Sequence, residues 1–242
     1  MSQLPIDAIL PEIRTALDLQ NKVVLSADPG AGKTTRVPLS ILDERWLGGK
    51  KIVMLEPRRL AAQRAANYMA EQMGEKPGQT VGYRIRGETR IGKKTRIEVV
   101  TEGILTRFLQ SDPALEDVGI LIFDEFHERS IHADLGLALA LDVQEHLRND
   151  LRILVMSATL DGLAVASLFG TAGVVKSVGR TFPVATRYLE RAPAGPIEPL
   201  VASCVIRALR EEAGDLLVFL PGQREIRRVE SLLSESDLSP VV

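Results

Sequence analysis

Lys33 and Thr34 close the stretch Ala27-Asp28-Pro29-Gly30-Ala31-Gly32-Lys33-Thr34, which follows an apolar run and opens a helical pattern. A glycine-rich turn between a strand and a helix lets backbone N–H groups wrap a phosphate while the helix N-terminus faces the anion. Gly30 and Gly32 would supply the backbone shape, within a wrap formed by Asp28, Pro29, Gly30, Ala31 and Gly32. Lys33 would neutralise β- and γ-oxygens of a nucleoside triphosphate such as ATP, and the Thr34 hydroxyl would bind Mg2+. Thr35 either touches the phosphate edge or caps the first turn. The position usually held by the first glycine is Ala27, so a plain glycine-rich turn is the competing reading.

A second group narrows the choice. The apolar run Gly119–Phe123 ends in Asp124-Glu125-Phe126-His127, about ninety residues after the first motif. An aspartate at a strand end beside a phosphate loop can hold Mg2+, and a neighbouring glutamate can orient or deprotonate the attacking water. Thr34, Asp124 and Glu125 are therefore the candidate metal set, and Lys33, Asp124, Glu125 and His127 the candidate catalytic set. For His127 two readings stay open: a link from the nucleotide site to a second domain, or a local hydrogen bond.

These groups need a rigid sheet to carry them. Val23–Ala27, Lys51–Leu55, Glu98–Val100, Gly119–Phe123, Arg152–Met156 and Val174–Ser177 read as strands, several apolar throughout, as expected for strands covered on both faces. Thr34–Trp46, Arg59–Met73, Gly103–Gln110, Ile131–Leu147 and Leu163–Phe169 read as helices between them, which predicts an α/β fold with a mostly parallel sheet. The proline-bearing stretch Val178–Pro199 reads as a connection. After it comes another unit: helix Leu200–Glu212, strand Leu216–Leu220 and helix Arg224–Ser234. The expected organisation is domain one over residues 1–178, a linker over 179–199, and the start of a second domain over 200–242.

Composition bounds the rest. Of 242 residues, 45% are hydrophobic and 26% charged, ample for a core and unlike a disordered chain. Cys204 is the single cysteine, which excludes an internal disulfide framework. No apolar run approaches the ~20 residues of a membrane span, so the expectation is a cytoplasmic protein without a membrane partner. Thirty Lys and Arg against thirty-two Asp and Glu give a net charge of −2, leaving nucleic-acid binding to local patches. One such patch is Arg84, Arg86, Arg90, Lys93, Lys94 and Arg96, with Glu88 as its opposing charge; it reads either as a phosphate-contacting surface or as a solvated hairpin or loop. Aromatic residues make up 4% and do not interleave with these cations, so base stacking is not indicated.

Lys33-Thr34, Asp124-Glu125-Phe126-His127 and Ser157-Ala158-Thr159, in this order and spacing, resemble the amino-terminal part of a superfamily 2 helicase of the DEAH/RHA class. The Asp-Glu-Phe-His form of the acidic box is similar to that of the bacterial HrpB subgroup. Glu56-Pro57-Arg58-Arg59-Leu60-Ala61-Ala62, Val81-Gly82-Tyr83-Arg84, Thr101-Glu102-Gly103-Ile104-Leu105 and Phe219-Leu220-Pro221-Gly222 support it, so the resemblance covers essentially the whole chain. It implies a RecA-like P-loop NTPase domain followed by an incomplete second RecA-like domain, hydrolysing ATP with Mg2+. It also implies that Arg58, Arg59, Thr101, Glu102 and Gly103 meet the backbone of single-stranded nucleic acid, with RNA favoured by family membership. Ser157, Ala158 and Thr159 would couple hydrolysis to strand movement. For Arg58 a further expectation comes from charge: Pro57 is read as starting a helix, whose positive first turn asks for a nearby anion. For Thr159 the competing reading is a helix cap.

The chain contains no Gln-x-x-Gly-Arg-x-Gly-Arg block, so the resemblance implies a fragment whose partners include the remaining C-terminal domains of a parent protein. Two other classes compete: a P-loop ATPase or kinase that handles no nucleic acid, and a non-catalytic nucleic-acid-binding module. The first gives no reason for Arg58-Arg59, Thr101-Glu102-Gly103 and Ser157-Ala158-Thr159 together; intact Lys33, Thr34, Asp124 and Glu125 argue against the second.

Overall fold

The computed structural model describes residues 4–158, 169, 172–177, 183–189 and 195–236, and divides into two units, residues 1–181 and 182–242. In the first unit the strands are β1 (Lys22–Ala27), β2 (Lys51–Glu56), β3 (Val81–Ile85), β4 (Glu88–Arg90), β5 (Ile97–Thr101), β6 (Val118–Phe123), β7 (Arg152–Ser157) and β8 (Gly173–Ser177). They form one sheet in the order β4-β3-β5-β2-β6-β7-β1-β8. Every pairing is parallel except that of β3 with β4, a hairpin.

Side chains alternate across the sheet with the period of two that pleating imposes. Leu25, Met54 and Ile122 enter one core together with Ile13 and Leu17 of α1 (Leu10–Leu19), Val37 of α2 (Lys33–Ser40) and Ala66 and Met69 of α3 (Arg59–Gln72). Val24, Leu55 and Phe123 enter the other, against Leu105 of α4 (Glu102–Ser111) and Leu137 and Ala140 of α5 (Ile131–His146). Helices on both faces explain why β6 is buried at every position and why its sequence is an unbroken apolar run.

Several expectations change. The helix predicted over Thr34–Trp46 stops at Ser40, because Pro38 lies inside it and has no N–H for the carbonyl one turn back. A separate 3-10 turn, Arg45–Leu47, follows and is closed by Gly48 in the left-handed region at φ 56°. Helix α3 begins at Arg59, with Arg58 as an extended N-cap, so Pro57 does not start it. The 3-10 turn Pro5–Ile9 and α1 carry no sequence expectation, whereas β3 and β4 form the hairpin that is one of the two readings of the 84–96 cluster. The predicted helix Leu163–Phe169 lies outside the described residues apart from Phe169, which is buried.

The second unit contains α6 (Ile197–Glu211) and α7 (Gln223–Ser234), which bury Ala202 and Val229 and approach through Arg228 and Glu198 at 3.9 Å. The strand expected at Leu216–Leu220 is not formed. A strand needs a partner for its backbone groups, and no described strand pairs with this segment; Leu217 and Phe219 are 81% and 86% exposed.

Candidate nucleotide and nucleic-acid site

Because the strands run parallel, their C-terminal ends share one edge of the sheet, where α/β folds carry ligands. β1 delivers the glycine-rich loop there, β7 delivers Ser157 and Ala158, β6 Asp124–His127, β2 Arg58 and Arg59, and β5 Thr101–Gly103. Neighbouring strands are ~4.8 Å apart, so the loop after β1 and the residues after β6 are about 10 Å apart, and those after β5 are nearly twice as far. The sheet order thus places the glycine-rich loop toward one side and the basic residues toward the other, with the acidic box between.

In the loop, Gly30 has φ 77° and Gly32 φ 93°, conformations that L side chains rarely adopt, so these two positions require glycine. Ala27 is the last residue of β1 and pairs with Ser177 of β8, so it lies in the ladder, before the turn proper. That explains how the loop forms without a first glycine. Asp28, Pro29 and Gly30 are exposed, Ala31 is buried, and Thr35 donates its backbone N–H to the Gly32 carbonyl at 3.3 Å.

The two motifs meet. Lys33, only 3% exposed, places Nζ 2.9 Å from Glu125 Oε1, and Thr34 Oγ1 donates to Asp124 Oδ2 at 2.5 Å. Glu125 adopts φ 49°, unusual for a residue with a side chain, as the chain turns sharply off β6. Its backbone N–H donates to Asp124 Oδ1 at 2.8 Å, fixing the two acids relative to each other.

Sequence reasoning assigned no role to Glu56, the last residue of β2 and 3% exposed. The register places Leu55 opposite Phe123, and the Asp124 N–H donates to the Leu55 carbonyl, so Glu56 stands beside Asp124. Burial, then the charge of Asp124 and the hydrogen bond between them, push the Glu56 carboxyl up to about 9. Burial also raises Asp124, while hydrogen bonds from Thr34 and Glu56 act the other way. Two adjacent buried carboxyls cannot both ionise cheaply, so the pair holds a proton well above the ordinary carboxylate range. The available signal was an acid ending an apolar strand; the sheet order was needed to place it next to the acidic box.

His127 lies in the 3-10 turn Phe126–Glu128, and its Nδ1 is 3.3 Å both from the Ala158 N–H that it accepts and from Glu125 Oε2. An unprotonated Nδ1 accepts from Ala158, whereas a protonated one donates to Glu125, so the two contacts belong to different protonation states. Here His127 joins the acidic box to the Ser157-Ala158 segment, a local bond between two strand ends. Ser157 is buried at the end of β7; Thr159 lies outside the described residues.

Among the described residues no group of three or more His, Cys, Asp or Glu side chains could cage a metal. Mg2+ bound with a nucleotide uses one or two protein oxygens plus phosphates and water, and Thr34 Oγ1 beside Asp124 Oδ2 suits that hard, oxygen-seeking ion.

On the basic side, Arg58 is exposed and its guanidinium donates to Glu128 Oε1 at 3.0 Å, so the anion expected near it is Glu128. Arg59 is exposed. Glu102 accepts from the Ser130 hydroxyl at 2.6 Å, and Ser130 Oγ in turn accepts the Ala133 N–H, capping α5. Gly103 is exposed, and a Cβ there would meet nothing within 4 Å. The 84–96 cluster, in contrast, is dispersed. Arg84 bonds to buried Glu98 at 2.9 Å and Arg96 to the Leu42 carbonyl, so Glu88 is not the only opposing charge. Lys93, Lys94 and Arg96 precede β5 and therefore sit at the opposite edge of the sheet.

Comparison with known proteins agrees with this arrangement. The DEAD/DEAH box helicase family model matches residues 8–167. The chain is 53% identical over 234 residues to the ATP-dependent RNA helicase HrpB of Escherichia coli K12, covering 97% of this chain and 29% of that protein. It is 35% identical to the probable ATP-dependent RNA helicase DHR2 of Saccharomyces cerevisiae, covering 98% and 33%. The crystal structure of the E. coli DEAH/RHA helicase HrpB superposes with a TM-score of 0.90 at 52% identity, over 96% of this chain and 29% of that one. A second crystal structure, of the E. coli DExH-box NTPase HrpB, gives 0.83 at 53% identity, covering 97% and 29%. The chain therefore spans about a third or less of these relatives' length. With the phosphate loop, the acidic box and the parallel sheet matched along most of its length, the chain belongs to the DEAD/DEAH box helicase family, on its DEAH/RHA branch beside HrpB.

Proposed function

We propose that this chain is the nucleotide-binding half of an ATP-driven nucleic-acid motor. The observation that carries the reading is the meeting of Lys33 with Glu125 and of Thr34 with Asp124 at the sheet edge that also bears Arg58, Arg59 and Thr101–Gly103. Lys33 leaves Glu125 for the β- and γ-phosphate oxygens, and the loop over Asp28–Thr35 wraps the phosphates through its N–H groups. Thr34 and Asp124 would hold Mg2+, which would neutralise charge developing on the phosphate oxygens. Glu125, freed from Lys33, would orient a water for in-line attack on the γ-phosphorus and accept its proton, while the bond from that phosphorus to the β–γ bridging oxygen breaks and the oxygen leaves with the diphosphate. Glu56 keeps Asp124 aimed at the metal.

Nucleic acid is held through its backbone. A phosphate competes with Glu128 for Arg58, and Arg59 and the α4 N-terminus at Thr101–Gly103 continue the track. His127, Ser157 and Ala158 join the two halves of the edge. RNA as the strand is supported by the relatives' names as RNA helicases. Among the described residues no helix is long and apolar enough to cross a membrane.

Calorimetry and turnover with two variants test the reading. Lys33→Ala should lose tight Mg-ATP binding, because the phosphates lose their buried cation. Glu125→Gln should keep binding and lose turnover by orders of magnitude, since an amide cannot take the proton. Unchanged affinity in the first, or near-normal turnover in the second, counts against the assignment.

A further inference from the structure

We propose that the N-terminal segment Leu4–Asp7 is a working part of the phosphate loop, a brace that holds Gly32 and Ala31 in the shape that receives the triphosphate. This rests on the nucleotide reading above and adds residues that precede the stretch matched by the family model.

Contacts of Leu4, Ile6 and Asp7 fix the brace. The Ile6 N–H donates to the Ala31 carbonyl at 3.1 Å, so the loop's backbone is bonded at the residue between its two left-handed glycines. Ile6 is fully buried and belongs with Ala31 and Val37 to one core cluster. Leu4 lies over the outer side of Gly32: a Cβ added there would come within 2.6 Å of Leu4 Cδ1 and 3.3 Å of Ile6 Cγ2. Asp7 accepts the Leu4 N–H at 2.9 Å and approaches Arg36, in the first turn of α2, at 3.7 Å. One short 3-10 turn thus grips the loop at Ala31 and Gly32 and reaches α2 beyond the loop.

The physical consequence is pre-organisation. A glycine-rich loop has many conformations, and ordering it on phosphate binding costs free energy that weakens the complex. Leu4 and Ile6 occupy the space into which Gly32 would otherwise relax, and the Ala31 peptide is held on both sides, its carbonyl by the Ile6 N–H and its N–H by the Asp28 carbonyl. Leu4, Ile6 and Asp7 are positioning residues; none of their described contacts involves Lys33, Thr34, Asp124 or Glu125.

The test uses the 242-residue chain with Leu4→Ala, Leu4→Met and Asp7→Asn, reading three quantities. In Leu4→Ala, amide hydrogen exchange over Gly30–Thr34 should accelerate about five-fold in the nucleotide-free chain, while β6 and β7 amides exchange as before. Mg-ATP affinity should fall by a similar factor. Leu4→Met, which refills the space over Gly32, should restore both, and Asp7→Asn should give a smaller change of the same sign. Loop exchange and affinity unchanged in Leu4→Ala, or lowered protection spread evenly over the first unit, would overturn the brace and leave only packing. If the parent chain binds no Mg-ATP, the nucleotide reading fails, yet loop exchange without nucleotide still decides whether Leu4 braces Gly32.

Discussion

Glu56 carries the most unusual chemistry of any single side chain here: a carboxyl that burial and its neighbour Asp124 push up to about 9. The sign of the resulting pH dependence follows from linkage. A carboxyl whose folded value is raised above its ordinary 4.5 adds stability that is complete below 4.5 and lost progressively as pH rises toward 9. Glu56→Gln fixes a neutral donor against Asp124 and removes that slope. In metal-free and nucleotide-free protein the variant should therefore gain steadily on the parent between pH 5 and pH 8, by at most about 1.4 kcal/mol per pH unit. Urea unfolding of both chains across that range is the measurement, and parallel curves would show that Glu56 ionises as freely folded as unfolded. Glu98, also buried, shows the alternative arrangement: Arg84 at 2.9 Å and Lys51 at 3.1 Å pair with it, and its environment is charge-compensated.

Among the elements, α5 depends on one serine. Ser130 Oγ accepts the Ala133 N–H at the helix start and donates to Glu102 at the start of α4, tying the segment after the acidic box to the segment after β5. Ser130→Ala should cost about 1 kcal/mol through the lost cap, or roughly 2–4 °C in melting temperature for a unit of this size. Glu102→Gln should keep the cap and cost less; equal losses in both would place the energy in the Glu102 bond instead. The elements also show what sequence can reveal. β1, β2, β5, β6, β7 and β8 each left an apolar run, and the helices that begin at Lys33 and Ile131 were legible to within one residue of their starts. β3 and β4 left a weaker trace, because the hairpin mixes Tyr83 and Ile85 with Arg84 and Arg90, and its charges read as a patch. α1 has the i, i+4 pair Ile13 and Leu17, but its N-cap is Ile9, so no capping side chain marks its start. The phosphate loop and acidic box were legible because their chemistry needs adjacent residue types at fixed spacing. Glu56 beside Asp124, Glu128 beside Arg58 and Leu4 over Gly32 were not, since each pairing is set by strand order or by a chain segment folding back.

At the scale of the whole molecule, the two units differ in how far each completes its own core. The first has an eight-stranded sheet with helices on both faces; the second has α6, α7 and an apolar segment, Leu216–Leu220, whose side chains find no described strand to join. The relatives are about three times as long, and the sequence here has no arginine-bearing Gln-x-x-Gly-Arg-x-Gly-Arg block. Hydrolysis of a γ-phosphate gains ~10³–10⁵ in rate from an arginine that meets the transferring group. On the proposed reading the groups on the phosphate-loop side, Lys33, Thr34, Asp124 and Glu125, would bind and align the substrate without supplying that charge from the opposite side. This 242-residue chain should accordingly bind Mg-ATP yet hydrolyse it slowly, and single-stranded RNA should raise its rate little, because Arg58, Arg59 and Thr101–Gly103 grip the strand from one side alone. Its RNA affinity should fall as salt rises, in proportion to the few phosphates contacted. Steady-state hydrolysis by this chain beside the full-length E. coli relative, at saturating RNA, measures the difference. Equal RNA-stimulated rates would mean that the charge comes from within these residues or from a second copy of the chain, and a concentration dependence of the rate would separate those two sources.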